Sequence, residues 1–332
     1  MNRVRRLLPG TVVLFVLGVV ALGITALAPV GSHLVVVIGL GVLVANTVDV
    51  PTWARPGVGT YDRWLEIGIV LMGVTVGLEQ VLGAGDRVLL VVGLTVCTTV
   101  VTVEVLSRAV FDVPEKVGSL LAAGSGVCGV SAITAVAGSI DPDERDIAYA
   151  AATVLLFDAV TLVVYPLVAR LLGLSDVVFG VWAGATMFST GPVTAAGVAY
   201  SQTAGEWAVI VKLVRNALIG VVAIGYALYY ARRGAAEATV GSKPLYLWRT
   251  FPKFVLGFVL LMVLGSAGVF SAEQTAALET ASGWSFLVAF AGLGLGIDVS
   301  EFRDMGVEPV GVVLTTLLLV STAVLLALLA LF

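Results

Sequence analysis

Long polar stretches are missing from this chain. Of its 332 residues 12% are charged and 59% are hydrophobic, and apolar runs of about 20 residues recur from end to end. The widest charged stretch, about 231–253, has only the size of a loop. An ordinary soluble globule is thereby excluded. The composition predicts one polytopic, all-α membrane domain over residues 1–332, with the lipid bilayer as its surroundings, and the mean hydropathy of +1.07 agrees.

Other shortages narrow the chemistry. The two cysteines, Cys97 and Cys128, both lie in apolar runs without the spaced partners of a disulfide or metal framework, and both are expected reduced. His33 is the single histidine, so neither a metal nor another cofactor is expected. Basic residues number 18 and the formal charge is −4, which offers nothing to nucleic acid. The start, Met1-Asn2-Arg3-Val4-Arg5-Arg6 and an apolar run to Ala28, imitates a signal peptide. Its run of about 18 residues is longer than a usual signal core, and Pro29 obstructs cleavage, so it reads as the first helix.

Apolar runs give eleven candidate spans: about 10–28, 33–48, 64–82, 88–107, 117–137, 147–169, 177–200, 207–230, 252–270, 283–297 and 309–331. With the N-terminus in the cytoplasm, the inner segments carry 14 basic residues and the outer ones two, Arg87 and Arg145. Such a bias supports eleven crossings of the cell (plasma) membrane, with the C-terminus outside. An odd count suits one extra helix plus a 5+5 inverted repeat, about 33–170 and 177–332, with discontinuous crossing helices. The fifth span would then pair with the tenth. A weak match at offset 60, Ala123-Gly124 with Ala183-Gly184 and Thr134-Ala135 with Thr194-Ala195, joins two spans of the same direction in this scheme and is set aside.

The fifth span carries a run of helix breakers, Gly124-Ser125-Gly126-Val127-Cys128-Gly129. Glycine weakens a helix by about 1 kcal/mol relative to alanine, and in lipid an unwound backbone persists only where protein, water or a solute satisfies it. Residues 124–131 therefore read as an unwound crossing whose half-helix start suits an anion, with hydroxyls from Ser125 and Ser131. The rival reading is close helix packing through small residues. The tenth span holds Gly292-Leu293-Gly294-Leu295-Gly296-Ile297-Asp298. In the seventh, Thr186, Ser189, Thr190 and Thr194 surround Gly191-Pro192, and Pro192 removes a hydrogen bond from the Phe188 carbonyl.

Buried charge is the sharper signal, because an ionisable group near the bilayer centre is costly and usually marks a pathway or a pair. Asp158 is the most central carboxylate, and the eighth span carries Lys212, Arg215 and Asn216. The depths of Asp158 and Arg215 differ by roughly 4–5 Å. Either they form a structural ion pair, or Lys212 and Arg215 attract an anion while Asp158 serves as counter-charge or proton site. Glu104 and Arg108, four residues apart, should pair at an interface.

These residues resemble the YeiH-type predicted sulfate exporters. The matching stretches are Ala123-Gly124-Ser125-Gly126-Val127-Cys128-Gly129, Ala151-Ala152-Thr153-Val154 through Tyr165-Pro166, Lys212-Leu213-Val214-Arg215 and Gly294-Leu295-Gly296-Ile297-Asp298. The resemblance implies a fold like that of bile-acid/sodium symporters and sodium/proton antiporters, and export of sulfate-like or sulfonate anions. Where the family commonly has His-Glu-x-Ala-Gln, this chain has Phe188-Ser189-Thr190-Gly191-Pro192, so a titratable pair is missing, and Asp158 stands where relatives tend to have glycine.

The expectation is a secondary transporter of a small anion, working by alternating access with proton or sodium coupling through Asp158. Its substrate site would comprise Gly124, Ser125, Gly126, Cys128, Gly129, Ser131, Ser189, Thr190, Lys212, Arg215, Asn216, Gly294 and Gly296. A cation/proton antiporter and a passive anion channel are the alternatives, and a homo-oligomer is compatible with all three. No enzymatic activity is expected: an intramembrane aspartyl protease needs two mid-membrane aspartates, and Asp298 lies at a span end.

Overall fold

The computed structural model describes residues 3–27, 32–48, 50–233, 251–298 and 306–331. Every regular element among them is helical. In chain order the first are α1 (Arg3–Leu27), α2 (His33–Thr47), α3 (Arg55–Val58), α4 (Tyr61–Met72) and α5 (Leu78–Ala109). Next come α6 (Glu115–Ala123), a π turn (Gly124–Cys128), α7 (Val130–Ile140), α8 (Glu144–Leu171), α9 (Asp176–Thr186) and α10 (Thr190–Tyr200). The last are α11 (Gln202–Asn216), α12 (Ile219–Arg232), α13 (Phe254–Ser266), α14 (Ala272–Leu295) and α15 (Val307–Leu331). Among the described residues, six segments are long and apolar enough to cross a membrane: Arg6–Leu27, Gly85–Ala109, Glu144–Leu171, Gln202–Arg232, Ala272–Leu295 and Val307–Ala330. The chain is an all-α, multi-pass membrane protein. Most of the charged loop near 231–253 lies outside the described residues.

Two compact units interleave along the sequence, Met1–Ala84 with Lys253–Ser300, and Gly85–Pro252 with Glu301–Phe332. The repeat boundary expected between 170 and 177 falls inside the second.

In the first unit α14 packs along α2 and α4. It starts at a capping box, Ser271 with Gln274, and continues as helix through Gly292 and Gly294 to Leu295. A Cβ added to Gly294 would lie 2.3 Å from the Ile38 carbonyl oxygen, and one added to Gly41 would lie 2.8 Å from the Gly294 Cα. These glycines let two backbones touch, and the helical stability lost to them is offset by that packing. The tenth span is therefore unbroken. The third expected span, 64–82, is not: its helix closes in a 3-10 turn at Thr75, Val76 is extended, and α5 begins at Leu78.

In the second unit the fifth span does not run straight through. The Lys116 ammonium donates to the Asp141 carbonyl, which brings the start of α6 beside the end of α7. A Cβ at Gly124 would meet the Ile133 side chain at 2.9 Å, a contact that a straight helix forbids, since residues nine apart are separated by roughly 13 Å along the axis. The segment 115–140 is a hairpin of two short helices. So is 176–200, because the Tyr200 hydroxyl donates to the Leu174 carbonyl at 2.9 Å and the Phe179 and Tyr200 rings lie 4.2 Å apart.

The expectation of two crossing helices at 117–137 and 177–200 is corrected to two hairpins. Glycine and proline at the tips break the helices, and side-chain contacts at the open ends hold the limbs together.

Each hairpin is followed by a long apolar segment. α8 has 28 residues, with acids in its first turn and Arg170 in its last, as the helix dipole favours. Gln202–Arg232 has 31 and is interrupted by a turn where α11 gives way to α12, at residues 217–218. Both α7 and α10 have 11 residues, and their starts, 130 and 190, are 60 apart. The offset-60 match set aside above thus joins equivalent elements.

Candidate functional site

The two hairpins lie at opposite ends of α8, and their tips come together at its middle. Glu115 and Ser119, near the open end of the first, bond to residues of α5 and α12: the Tyr229 hydroxyl donates to Glu115 at 3.0 Å, and the Ser119 hydroxyl donates to Glu104 at 2.9 Å. The open end of the second meets the other end of α8, where Arg170 lies 5.8 Å over the Tyr200 ring. At the tips, a Cβ on Gly124 would touch Val154 at 3.1 Å, and the Phe157 and Phe188 rings meet edge to face at 6.5 Å. The Ser189 amide donates to Asp158 Oδ1 at 2.9 Å. A Cβ on Gly129 would fall 2.0 Å from Ser189 Oγ, so one tip abuts the other.

Breaking four helix ends in an apolar interior leaves carbonyls and amides that need partners. On the carbonyl side α11 supplies them. The Lys212 ammonium donates to the carbonyls of Val127 at 2.8 Å, Met187 at 3.1 Å and Phe188. Arg215 donates from Nε to Gly126 at 2.8 Å, from Nη1 to Met187 at 2.6 Å and from Nη2 to Ser125. Both side chains have no solvent exposure. The two cations stitch the C-terminal ends of α6 and α9 together at the ends where the helix dipoles are negative.

The sequence reading cast Lys212 and Arg215 as anion ligands, or Arg215 as the structural partner of Asp158. Instead, all three ammonium hydrogens of Lys212 are committed to backbone. No ion pair within 4.0 Å links Asp158 to either cation among the described residues. The carboxylate serves the opposite polarity, accepting from the amide that caps α10.

On the amide side the two half-helices begin side by side. α7 follows Gly129, whose φ of +67° and ψ of −137° suit glycine alone. Its first returning bonds come from Ala132 and Ile133 to Gly129. No hydrogen bond is found for the amides of Val130, Ser131, Thr190 and Gly191 among the described residues. Ser131 is exposed, and Val130, Ser189, Thr190 and Gly191 are half-buried. Asn216 Nδ2 donates to Thr190 Oγ1 at 3.0 Å. Among the described residues, three buried oxygens at the tips have no partner: Asp158 Oδ2, Asn216 Oδ1 and Ser125 Oγ.

Of the thirteen substrate residues read from sequence, eleven belong to the two tips or to α11 beside them. Gly294 and Gly296 do not: Gly294 packs on α2 in the first unit, and Gly296 closes the last turn of α14 by donating to Gly292 at 3.0 Å. The Cβ position of Gly126 points at Val100 of α5, 2.8 Å away, so this glycine also serves packing against α5. Cys128 is buried and free. Sequence reasoning did not single out the Met187 carbonyl, and it pointed to that of Phe188 for a reason the structure corrects: Phe188 lies outside α10, whose first returning bond runs from Val193 to Ser189, so Pro192 costs no helical bond there. It also missed a polar cluster behind the second hairpin, where Tyr165 donates to Ser321 Oγ at 2.8 Å and Trp182 to the Ser321 carbonyl at 3.1 Å. The Glu104–Arg108 pair forms as its spacing predicts, at 2.6 Å. No cluster of three potential metal-ligating side chains occurs among the described residues.

Comparison with known proteins gives a consistent answer. Residues 9–313 match the model of a family described as conserved hypothetical protein 698. A "UPF0324 membrane protein" of Nitratidesulfovibrio vulgaris is 31% identical over 272 residues, 81% of this chain and 75% of its own. One from Bacillus cereus is 31% identical over 278 residues, covering 83% and 80%, and one from Clostridium tetani is 29% identical over 259, covering 75% of each. No solved structure matches. The chain belongs to the conserved hypothetical protein 698 family of membrane proteins, the family its sequence resembles.

Proposed function

We propose that this protein is a secondary transporter of a small oxyanion of the sulfate or sulfonate class, working by alternating access around the two hairpin tips and catalysing no reaction. It sits in the cell membrane with its N-terminus in the cytoplasm and its C-terminus outside. The observation that carries this reading is the pair of abutting half-helix starts with four amides free of partners. Such starts concentrate donors and positive dipole ends on one spot, and Ser131 and Thr190 add hydroxyls.

Length supports it as well. Eleven helical residues span about 16 Å, half of a hydrocarbon core of about 30 Å, so limbs of this length carry their tips to mid-membrane. Two buried cations and a single carboxylate lie at the tips, an excess of positive charge that favours a negatively charged guest. Transport direction follows the gradients; the export role implied by the resemblance corresponds to an outward anion gradient.

The test is exchange of labelled sulfate, thiosulfate or methanesulfonate in proteoliposomes loaded with the same anion. Uptake accelerated by internal anion is expected; the absence of exchange for all three would remove the reading. A second reading, cation/proton antiport, draws on the three unpartnered oxygens. It predicts flux of labelled sodium driven by a pH gradient, with no effect of the anion.

A further inference from the structure

The amide of Ser189 is the first donor of α10, and it is already taken. Asp158 Oδ1 accepts from it at 2.9 Å, while Oδ2 is buried without a partner. Asp158 therefore occupies the helix start that a transported anion would use, next to the free amides of Thr190 and Gly191. A carboxylate accepts through both oxygens when ionised; when protonated, its carbonyl oxygen still accepts and its hydroxyl becomes a donor.

We infer that Asp158 is a built-in competitor of the transported anion, and that a proton loads onto its free oxygen as the anion binds the hairpin tips. This inference rests on the anion-carrier reading. Two negative charges sharing one helix start inside a membrane repel strongly, because the surroundings screen them little. Protonating Oδ2 removes that repulsion and leaves Oδ1 on the Ser189 amide, so the tip keeps its shape in both states. The proton comes from water on the side where the anion enters and leaves with it on the other side. Anion and proton travel together, so export needs an outward anion gradient that exceeds the inward pull of the proton gradient.

The charged and titratable groups that act on Asp158 are Lys212 and Arg215 of α11 and the Cys128 thiol of the π turn. Tyr165 lies two turns along α8 itself. The other elements packed on α8 carry theirs in terminal turns: Glu115 and Lys116 on α6, Asp176 on α9, Tyr200 on α10 and Glu308 on α15; α7 has none. Lys212 and Arg215 are occupied by carbonyls, so Asp158 is the group free to exchange a proton.

Sodium sulfate, thiosulfate and methanesulfonate are added in turn to the purified full-length protein in weakly buffered micelles containing a pH-indicating dye. The wild type should take up about one proton per anion bound, and its affinity should fall about tenfold per pH unit on the alkaline side. Asp158→Asn should take up none and should bind in alkaline solution as tightly as the wild type does in acid. Asp158→Glu, the second variant should the asparagine fail to fold, should restore proton uptake. Anion binding by the wild type without proton uptake overturns this inference and leaves the carrier reading standing. Binding of none of the three anions at any pH overturns both.

Discussion

Lys212 and Arg215 are joined through one atom, the carbonyl oxygen of Met187. The Lys212 ammonium donates to it at 3.1 Å and Arg215 Nη1 at 2.6 Å, while each cation also reaches a carbonyl of the first tip. Two buried charges on one helix are thus two halves of one arrangement.

Removing the charge should expose that dependence. Lys212→Met keeps the bulk but leaves the Val127 and Phe188 carbonyls without donors. At about 1–3 kcal/mol for each orphaned buried group, offset by relief from burying an ion, a net loss of about 3 kcal/mol is expected. Adding Arg215→Met orphans the Met187 carbonyl as well, so the double variant should lose more than the sum of the two single ones. Unfolding in mixed micelles measures all three, and strict additivity would show that the two residues are not coupled.

Arg215 tests geometry rather than charge. Its three donating nitrogens reach Ser125 and Gly126 of one tip and Met187 of the other, a fork that a lysine ammonium cannot reproduce. Arg215→Lys should cost about 2 kcal/mol and reduce anion exchange, despite its conserved charge. Wild-type exchange and stability in this variant would mean that the stitch between the tips is dispensable.

Gly129 is constrained twice. Its positive φ and negative ψ strain any side chain by about 1–3 kcal/mol, and a Cβ would overlap Ser189 Oγ at 2.0 Å. Gly129→Ala should abolish exchange while the protein still inserts. Ser189→Gly in the same chain removes the overlap but not the strain, so it should restore part of the activity. Full restoration would mean that the overlap alone matters, and none would mean that the strain dominates.

Much of the site was legible because each element leaves a local mark: glycines and a proline at the tips, and charges too deep to be incidental. The partner of the first break was not. The glycines of the tenth span carry the same composition as a break, yet they serve a helix crossing with α2, and composition alone does not separate the two uses. Nor did the pattern of basic residues reveal the hairpins. Turning both 117–137 and 177–200 from crossings into hairpins moves Arg145 inside and Arg170 outside, so the split stays at 14 to 2. The change reverses only the segment between them, and everything before and after keeps its side. It also gives the offset-60 match a physical meaning, since a hairpin plus one crossing, repeated, inverts the second copy.

Labelling can decide between these topologies at a few positions. Cys97 is exposed and Cys128 buried, so Cys97→Ala provides the background. Single cysteines are then placed at Val110 after α5, at Asp143 before α8 and at Leu172 after it, and each is challenged with a membrane-impermeant maleimide in intact cells and in inverted vesicles. The hairpin arrangement puts Val110 and Asp143 at one end of the unit, because Arg108 pairs with Glu115 at 3.2 Å and Lys116 bonds Asp141. In the proposed orientation, with the N-terminus in the cytoplasm, that end is cytoplasmic. The expected result is labelling of Val110→Cys and Asp143→Cys only in inverted vesicles, and of Leu172→Cys only in intact cells. Eleven crossings demand the reverse for Asp143 and Leu172 while agreeing on Val110, so the middle position carries the decision. If Asp143→Cys were labelled from outside, the segment 115–140 would cross the membrane, and the meeting of two hairpin tips at Asp158 would have to be abandoned together with the anion site built on it.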